Sequence, residues 1–413
     1  MERKELLPHL FRTEYRKMVS VLSSLFGMEH IELAEDIVSD TFLAATESWS
    51  AKGVPENPAA WLYTVAKNKT KNWLKRDNLF QQKLLADLRR NTPEGEEIEI
   101  DLSARNITDS QLAMIFAVCH PSIPAESQVA LALNLLCGFG AQEIADAYLT
   151  TTTVIYKRLS RAKEKLKEAG MEIRQPSVPE IDDRLEAVLK TLYLLFSEGY
   201  YSVSHNTVLR KELCVEAMRL AYLLIEQPHT NQPAVNALMA LMCFHSSRFD
   251  ARINDTGEMI LYQEQDETRW NAELIERGEY YLFQAAGPVL TRYHLEAAIA
   301  YWHTHKEDSS EKWNNILDLY NQLLILEYSP IAALNRTFAL AKAKGKREAI
   351  IEAEKLGLTD NHFYYSLLGN LYTDIDDRKA MQHYETALKH ATTPADIALM
   401  EKNIRQIRRR LDN

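Results

Sequence analysis

The sequence lacks long apolar runs. No stretch of its 413 residues approaches the roughly 20 apolar residues of a membrane-spanning helix, and residues 1–5 lack the apolar core of a signal peptide. Its four cysteines lie far apart without a C-x-x-C pair, which predicts free thiols in a cytoplasmic protein. We therefore expect no association with a membrane.

Motifs for catalysis are also missing. The sequence has neither a glycine-rich phosphate loop nor a G-x-S-x-G motif. His303 and His305 are two residues apart, so on a helix they would point to different sides and would not form a pair of metal ligands. We therefore expect no enzyme activity, no cofactor and no metal site.

An overall excess of positive charge is absent as well. The formal net charge is −10, which argues against a protein that binds nucleic acid over its whole surface. The basic residues are instead concentrated in two segments: residues 61–76 hold five basic and no acidic residues, and residues 152–170 hold six basic and two acidic ones. Such local clustering is expected where individual helices contact DNA.

The first basic segment, residues 58–76, predicts an amphipathic helix with Pro58 near its start. Leu62, Ala66 and Trp73 share its apolar face. Like charges along the other face repel one another, which is tolerated where a polyanion binds, but a solvated basic face is an open alternative. The candidate nucleic-acid contacts are Trp61, Tyr63, Thr64, Lys67, Asn68, Lys71, Asn72, Lys75 and Arg76. Trp61 and Tyr63 could stack on single-stranded bases or belong to the core.

An acidic amphipathic helix is predicted just before this segment, at residues 31–47. Its outward face is expected to hold Glu32, Glu35, Asp36, Ser39 and Asp40. The order of acidic helix, proline-stiffened loop, WLYTVAKN helix and terminal Lys-Arg resembles region 2 of bacterial sigma factors of the extracytoplasmic-function (ECF) group. The resemblance implies that Glu35, Asp36 and Asp40 contact a coiled coil of the β′ subunit of core RNA polymerase, and that the basic helix binds the −10 promoter element. A solvated acidic face is the alternative.

The second basic segment predicts a helix-turn-helix, with a first helix at 142–148, a turn at 149–151 and a second helix from about Thr152. The buried stripe of the second helix is expected to consist of Ile155, Leu159, Ala162 and Leu166. A recognition helix reads base edges with its N-terminal residues, and the candidate readers are Thr152, Thr153, Tyr156 and Lys157. The candidate phosphate contacts are Arg158, Arg161 and Lys163, with Ser160 also available.

The EIA at 143–145 followed by LSRA at 159–162 resembles region 4 of sigma factors, which reads the −35 promoter element. Alone, this pattern also fits a LuxR-type regulator. Beyond Pro176 and Pro179 the chain is longer than a plain ECF sigma factor. Three stretches there resemble the C-terminal extension of one ECF subgroup, whose end is described as tetratricopeptide-like: FSEGYYS at 196–202, LYQEQDETRW at 261–270 and YHLEAAIAYWH at 293–303.

The end of the chain favours helical repeats on independent grounds. Ala349 and Ala380 each open the second helix of a predicted helix pair, and their separation of 31 residues is close to the ~34 of a tetratricopeptide repeat. We therefore expect an all-α protein. Its predicted domains are region 2 at 1–78, an acidic linker at 79–108, region 4 at 109–172, a helical extension at 176–325 and tetratricopeptide-like repeats at 326–413.

The expected function is promoter-specific transcription initiation by an ECF-type sigma factor, whose extension regulates it in cis by propping or occluding regions 2 and 4. The expected partners are core RNA polymerase, promoter DNA and a protein or small-molecule ligand of the extension. One alternative is a conventional helix-turn-helix regulator with a sensing repeat domain, which would bind duplex DNA without polymerase. A scaffold built on the repeats is a third hypothesis, and it would leave both basic helices without a role.

Overall fold

The computed structural model describes residues 3–76, 100–200, 207–252, 260, 262–391 and 394–412. These residues form eighteen α-helices and no β-strand, which confirms the predicted all-α fold. The chain divides into two compact units, unit 1 at Met1–Asn231 and unit 2 at Gln232–Asn413. No helix among the described residues is both long enough and apolar enough to cross a membrane.

The described part of unit 1 contains nine helices. They are α1 (Arg3–Phe26), α2 (Ile31–Lys52), α3 (Pro58–Arg76), α4 (Ala104–Val118), α5 (Ala125–Leu131), α6 (Ala141–Ala147), α7 (Thr152–Glu168), α8 (Val178–Tyr200) and α9 (Thr207–Ile225). A π-helical turn, Ala132–Leu136, continues α5.

Helices α1, α2 and α3 pack against one another. In α3, Leu62 and Ala66 are fully buried, as their spacing predicts. Gly27 ends α1, where its φ of 80° is a conformation that side chains with a Cβ rarely adopt. Together these three helices hold the acidic face of α2 and the basic face of α3 on one framework.

The last residues of the predicted linker include the start of a helix. Helix α4 begins at Ala104, inside the predicted linker at 79–108, because Ser103 caps it. The Ser103 Oγ accepts a hydrogen bond of 3.3 Å from the backbone N–H of Asn106, which satisfies one of the free donors at the helix start. Four members of the acidic run, Glu94, Glu96, Glu97 and Glu99, lie outside the described part of the chain, whereas Asp101 is described and accepts a hydrogen bond of 2.8 Å from the backbone N–H of Ser103.

The first two helices of the predicted extension belong to unit 1. The chain does leave the helical conformation between α7 and α8, near Pro176 and Pro179. Helix α8 nevertheless packs on α4 and α5, and α9 packs on α8, α4 and α6. A break in one helix is a local signal, whereas the extent of a compact unit depends on packing between distant segments, so the domain boundaries at 172 and 176 stay predictions.

Unit 2 is also helical throughout its described part. Its helices are α10 (Pro233–Ser247), α11 (Ala272–Gln284), α12 (Arg292–Trp302), α13 (Ser310–Leu326), α14 (Pro330–Lys344), α15 (Lys346–Leu356), α16 (His362–Tyr372), α17 (Asp377–His390) and α18 (Pro394–Leu411). Ala349 in α15 and Ala380 in α17 are fully buried. Gly369 lets α16 approach α17 closely, since a Cβ there would come within 2.8 Å of the Tyr384 ring. The helix pairs agree with the predicted repeats, and their tetratricopeptide-like character stays a prediction.

The four cysteines are free and buried, which confirms the expectation of free thiols.

Candidate polymerase and promoter interface

Helix α3 presents an exposed polar stripe. The exposed members of the predicted −10 set are Thr64, Asn68, Asn72 and Lys75. Lys67 and Lys71 are half-buried beside this stripe, and Arg76 is the last residue of the helix. The hydroxyl, amide and ammonium groups on this stripe can contact both bases and phosphates.

The two aromatic candidates on α3 contact other protein groups. The Trp61 ring lies edge-on to the Trp49 ring, with 5.4 Å between their centroids. The Tyr63 hydroxyl donates a hydrogen bond of 2.5 Å to Glu14 on α1. Burial and the Glu14 carboxylate raise the pKa of Tyr63 above its ordinary value. Stacking of either ring on a flipped base stays a prediction.

The three candidate polymerase contacts on α2 differ in their exposure. Asp36 and Asp40 are exposed, and the Asp40 carboxylate lies 3.9 Å from the Lys69 ammonium. Glu35 is different: helix α7 covers it, and only 17% of its side chain is exposed. The prediction that Glu35 faces solvent was therefore wrong, because the period of α2 cannot reveal a helix that is distant in sequence and lies over this position.

Two ion pairs join α2 to α7, and we name them the α2–α7 latch. Lys163 Nζ lies 2.5 Å from Glu35 Oε2, and Lys167 Nζ lies 2.6 Å from Glu32 Oε2. Burial raises the pKa of Glu35, and Lys163 offsets this only in part. Burial acts on Glu32 in the same direction and is the largest single effect, but its hydrogen bonds and the charges of Lys167 and Lys163 together outweigh it and lower the pKa of Glu32. The desolvation cost is therefore offset at Glu32 but not at Glu35.

Helix α7 matches the predicted recognition helix in its burial. Its buried residues are Ile155, Leu159, Ala162 and Leu166, as predicted. The exposed members of the predicted −35 set are Thr153, Tyr156, Lys157, Ser160 and Arg161, and Thr152 is half-buried. Arg158 already has protein partners, since its guanidinium lies 5.4 Å from the Tyr148 ring centroid and 3.2 Å from Glu126. Lys163 is paired with Glu35 on α2. The predicted contacts in the N-terminal half of α7 are therefore mostly exposed to solvent, whereas α2 covers part of its C-terminal half.

Two arginines on α1 form ion pairs with glutamates on α9. We name this set of contacts the α9 clamp. Arg12 pairs with Glu212 on α9, and it also pairs with Glu143 on α6 at 2.9 Å. Arg16 lies 2.5 Å from Glu216 on α9, and 10% and 16% of the two side chains are exposed. The clamp thus joins the predicted region 2, the predicted region 4 and the predicted extension.

Further contacts tie α8 and α9 to the predicted region 4. Arg219 on α9 donates a hydrogen bond of 2.6 Å to the carbonyl of Leu136. On α8, Arg184 donates to the carbonyl of Phe116, and Thr191 donates to the side chain of Gln128 at 2.6 Å. These bonds satisfy polar groups at the contact between the predicted region 4 and helices α8 and α9.

Sequence reasoning missed most of the residues that form the ion pairs between these helices. They are Arg12, Arg16, Glu32, Glu143, Lys167, Glu212 and Glu216. Their charges are visible in the sequence, but partners such as Arg12 and Glu212 are 200 residues apart. No local pattern indicates which of the many opposite charges will meet.

Two family models match parts of the chain, one within unit 1 and one across the end of unit 1 and the start of unit 2. Residues 10–79 match the family described as Sigma-70 region 2, and residues 184–286 match a family of unknown function, DUF6596. An uncharacterized protein, R00370, of Rhizobium meliloti strain 1021 is 30% identical over 388 residues, which cover 91% of this chain and 90% of that protein. The RNA polymerase sigma factor YlaC of Bacillus subtilis strain 168 is 30% identical over 82 residues, which cover 20% of this chain and 46% of YlaC.

No solved structure matches the chain. The region 2 match includes α2 and α3, which carry the acidic and basic faces described above. Over most of its length the chain belongs to one family with the R. meliloti protein, and its residues 10–79 form a Sigma-70 region 2 segment.

Proposed function

We propose that this chain is an ECF-type sigma factor that directs core RNA polymerase to specific promoters, and that its extension regulates it in cis by holding regions 2 and 4 closed. Core polymerase supplies the catalysis, α3 binds the −10 element and α7 binds the −35 element. Asp36, Asp40 and, once uncovered, Glu35 bind the β′ coiled coil. The tetratricopeptide-like end of the extension offers a surface for a partner.

The α2–α7 latch is the observation that carries this proposal. It joins a carboxylate proposed to bind polymerase, Glu35, to an ammonium proposed to bind promoter phosphate, Lys163. While the two are paired, neither is available to its own partner. A sigma factor in which these groups neutralise each other is held in a form that must open before it acts.

The α9 clamp supports a role for the extension in that closure. Arg12 contacts α6 and α9 at the same time, so the first helices of the extension stabilise the proximity of regions 2 and 4. Loss of one partner from a buried ion pair such as Arg16 and Glu216 destabilises by about 3–5 kcal/mol. Exposed pairs contribute roughly 0.2–1 kcal/mol. The clamp contains both kinds of pair. The buried pair can stabilise the closed form strongly, and changes at the exposed pairs can adjust that stability by smaller amounts.

The charge distribution supports promoter binding that depends on polymerase. The net charge of −10 disfavours stray binding of the free chain to DNA. When polymerase carries both basic helices to one promoter, the second contact becomes intramolecular and gains effective concentration. Two individually weak sites then give a stable and selective complex.

Transcription in vitro tests the proposed function. Core polymerase from the source organism is incubated with its genomic DNA, with and without the chain, and the start sites are mapped. We expect discrete new start sites only with the chain, and no tight binding of the chain alone to duplex DNA in a gel shift. Tight binding without polymerase and no new start site would instead identify a conventional regulator.

The Glu212→Gln variant tests regulation by the extension. It removes one charge of the α9 clamp, at a side chain that is 33% exposed, so we expect a modest increase of about 1.4- to 5-fold in core polymerase affinity. Glu226→Gln is the matched control, since Glu226 is exposed and directly follows α9. If wild type and Glu212→Gln bind core polymerase with equal affinity, the clamp does not regulate polymerase binding. The result of the transcription experiment would not be affected.

A further inference from the structure

Unit 2 holds two buried cations beside one aromatic ring. Arg248 follows the C-terminal end of α10 and is 8% exposed, and Lys312 in α13 is 2% exposed. The Arg248 guanidinium carbon lies 5.3 Å from the centroid of the Tyr262 ring, and Lys312 Nζ lies 5.0 Å from the same centroid. The Trp270 ring centroid is 6.0 Å from the Arg248 guanidinium. Like charges are therefore brought together where water is largely excluded.

Uncharged groups are the hydrogen-bond partners of Lys312. Its ammonium donates to the Tyr262 hydroxyl at 2.9 Å and to the carbonyl of His305. Arg248 lies within ion-pair distance of no carboxylate in the described part of the chain, and its buried Nε has no hydrogen-bond partner there. A buried charge without a counter-charge is costly, so these two cations call for an anion.

The nearby carboxylates do not supply that anion. Asp308 is taken by Lys342 at 2.8 Å and by the indole N–H of Trp313. Glu267 lies 3.8 Å from Lys306. Asp308 and Glu267 still favour the charged form of Lys312 from a distance, but among the described residues neither forms an ion pair with Lys312 or Arg248.

The surrounding polar atoms also suit an anion. The indole N–H of Trp270 is buried without a hydrogen-bond partner in the described residues, and so is Nδ1 of His303. The His303 ring lies edge-on to Tyr262, with 5.2 Å between the centroids. Burial, together with the positive charges of Arg248 and Lys312, lowers the pKa of His303 to about 3. The two cations therefore act on His303 in the direction expected of a positive local potential, in addition to the larger effect of burial.

We propose that Arg248 and Lys312, with the indole N–H of Trp270, form a binding site for the oxyanion group of a small ligand, a phosphate or a carboxylate. The planar guanidinium suits two oxygens of such a group, and the ammonium provides a point charge beside it. The aromatic rings of Tyr262 and Trp270 would exclude water from the bound group, which strengthens each of these interactions.

The site adds a function to the part of the chain that has no assigned activity. Arg248, Tyr262 and Trp270 lie within residues 184–286, which match the family of unknown function. Binding at this site does not depend on the sigma-factor proposal. A failure here would leave that proposal standing, and a failure of promoter-directed transcription would leave this site standing.

Thermal unfolding and calorimetry of the full-length chain test the site. The probes are inorganic phosphate and succinate, each titrated against sodium chloride at matched ionic strength. We expect a saturable rise in Tm and saturable heat with at least one of the two anions. A response to phosphate but not to succinate would identify a phosphate group as the anionic group of the ligand. A response to succinate but not to phosphate would identify a carboxylate.

Three variants locate the binding. Arg248→Gln and Lys312→Met should each weaken anion binding at least tenfold, whereas Arg269→Gln, at an exposed arginine of the same segment, should bind as wild type does. Circular dichroism checks the fold of each variant, and the two site variants serve as substitutes for each other if one fails to fold. A wild-type chain that responds to neither anion more than to chloride overturns the proposal. Undiminished binding by a folded Arg248→Gln or Lys312→Met variant also overturns it.

Discussion

Lys163 on α7 donates a hydrogen bond of 2.5 Å to Glu35 on α2, across 128 residues of sequence. The contact is largely buried, with 11% and 17% of the two side chains exposed. Because burial raises the pKa of Glu35 despite this partner, the pair gives little net stabilisation for the charges that it removes from water. A contact of this kind suits a latch, since a competing partner needs only a modest advantage to open it.

The outer pair of the latch can be removed without loss of any proposed DNA or polymerase contact. Lys167→Ala leaves Glu32 without its partner, at a position where 52% of the Glu32 side chain is exposed. We expect a rise in core polymerase affinity of about 1.4- to 5-fold, which corresponds to the roughly 0.2–1 kcal/mol of an exposed pair. Fluorescence anisotropy of the labelled chain, titrated with core polymerase, measures the effect.

Lys165→Ala is the matched control for this change. Lys165 is exposed on the same helix and takes no part in the latch, so its variant should bind polymerase as wild type does. An equal gain in both variants would mean that the charge of α7, and not the latch, limits polymerase binding.

Helix α3 should be needed for initiation but not for polymerase binding. Lys67→Glu reverses a charge on the proposed −10 face, where it would repel promoter phosphates. We expect loss of transcription from the chain's own start sites, with unchanged affinity for core polymerase. Lys52→Glu, at an exposed residue at the end of α2, should leave both unchanged. If Lys67→Glu instead prevents polymerase binding, the assignment of the two faces is reversed.

Helix α7 should contain two kinds of DNA contact. Tyr156 is 65% exposed, so Tyr156→Ala can leave the fold intact while it removes a proposed base contact. We expect it to relax the preference at one −35 position by about 1–3 kcal/mol. Arg161→Ala should weaken binding to all promoters by a similar factor. It should also reduce the slope of log affinity against log salt concentration by about 1. Transcription from a library of −35 sequences at several salt concentrations separates these effects, and identical profiles would contradict the assignment.

Lys312 should make the stability of the chain increase with pH. Burial lowers its pKa from 10.5 to about 8, and the opposing charges only partly cancel. The charged and titratable groups around it are Arg248, Tyr262, Glu267, His303, Asp308 and Lys342. Between pH 8 and about 10 the unfolded chain keeps the lysine proton that the folded chain has lost, so the free energy of unfolding should rise with pH.

Denaturant unfolding of wild type and Lys312→Met across this range isolates that effect. The difference in the free energy of unfolding between wild type and Lys312→Met should change by at most about 1.4 kcal/mol per pH unit, which is the slope for one proton. An oxyanion bound beside Lys312 would raise its pKa again and flatten the difference. Parallel curves without any added anion would show that Lys312 titrates normally.

Periodicity within a single helix predicts a good part of this fold. The buried stripe of α7 and the buried Leu62 and Ala66 of α3 follow from apolar residues at helical spacing. The start of α4 was predicted less well, since Ser103 is a helix cap that a long acidic stretch obscures. Patterns of three or four residues thus establish the helices and their apolar faces.

The arrangement of the candidate site could not be predicted in the same way. The spacing of α2 indicates an acidic face, but α7 covers Glu35 through a contact between distant segments. Likewise, Pro176 and Pro179 mark a real break in the helix, yet α8 and α9 pack back onto the same unit. Polar pairs between distant helices depend on the complete packing, and one sequence without its fold does not contain that information in any local pattern.

Closure of the latch in the free chain, and its opening on polymerase, can be measured as a distance. Dyes on Leu43→Cys in α2 and Glu164→Cys in α7, both at exposed positions, report the separation of the two helices by energy transfer. The native cysteines are buried, and burial raises the pKa of Cys119 and Cys243 to about 12, so they react slowly with dyes. We predict high transfer in the free chain and a clear fall when core polymerase binds. Unchanged transfer in a complex that has formed, or the lack of any complex with core polymerase, would contradict the account.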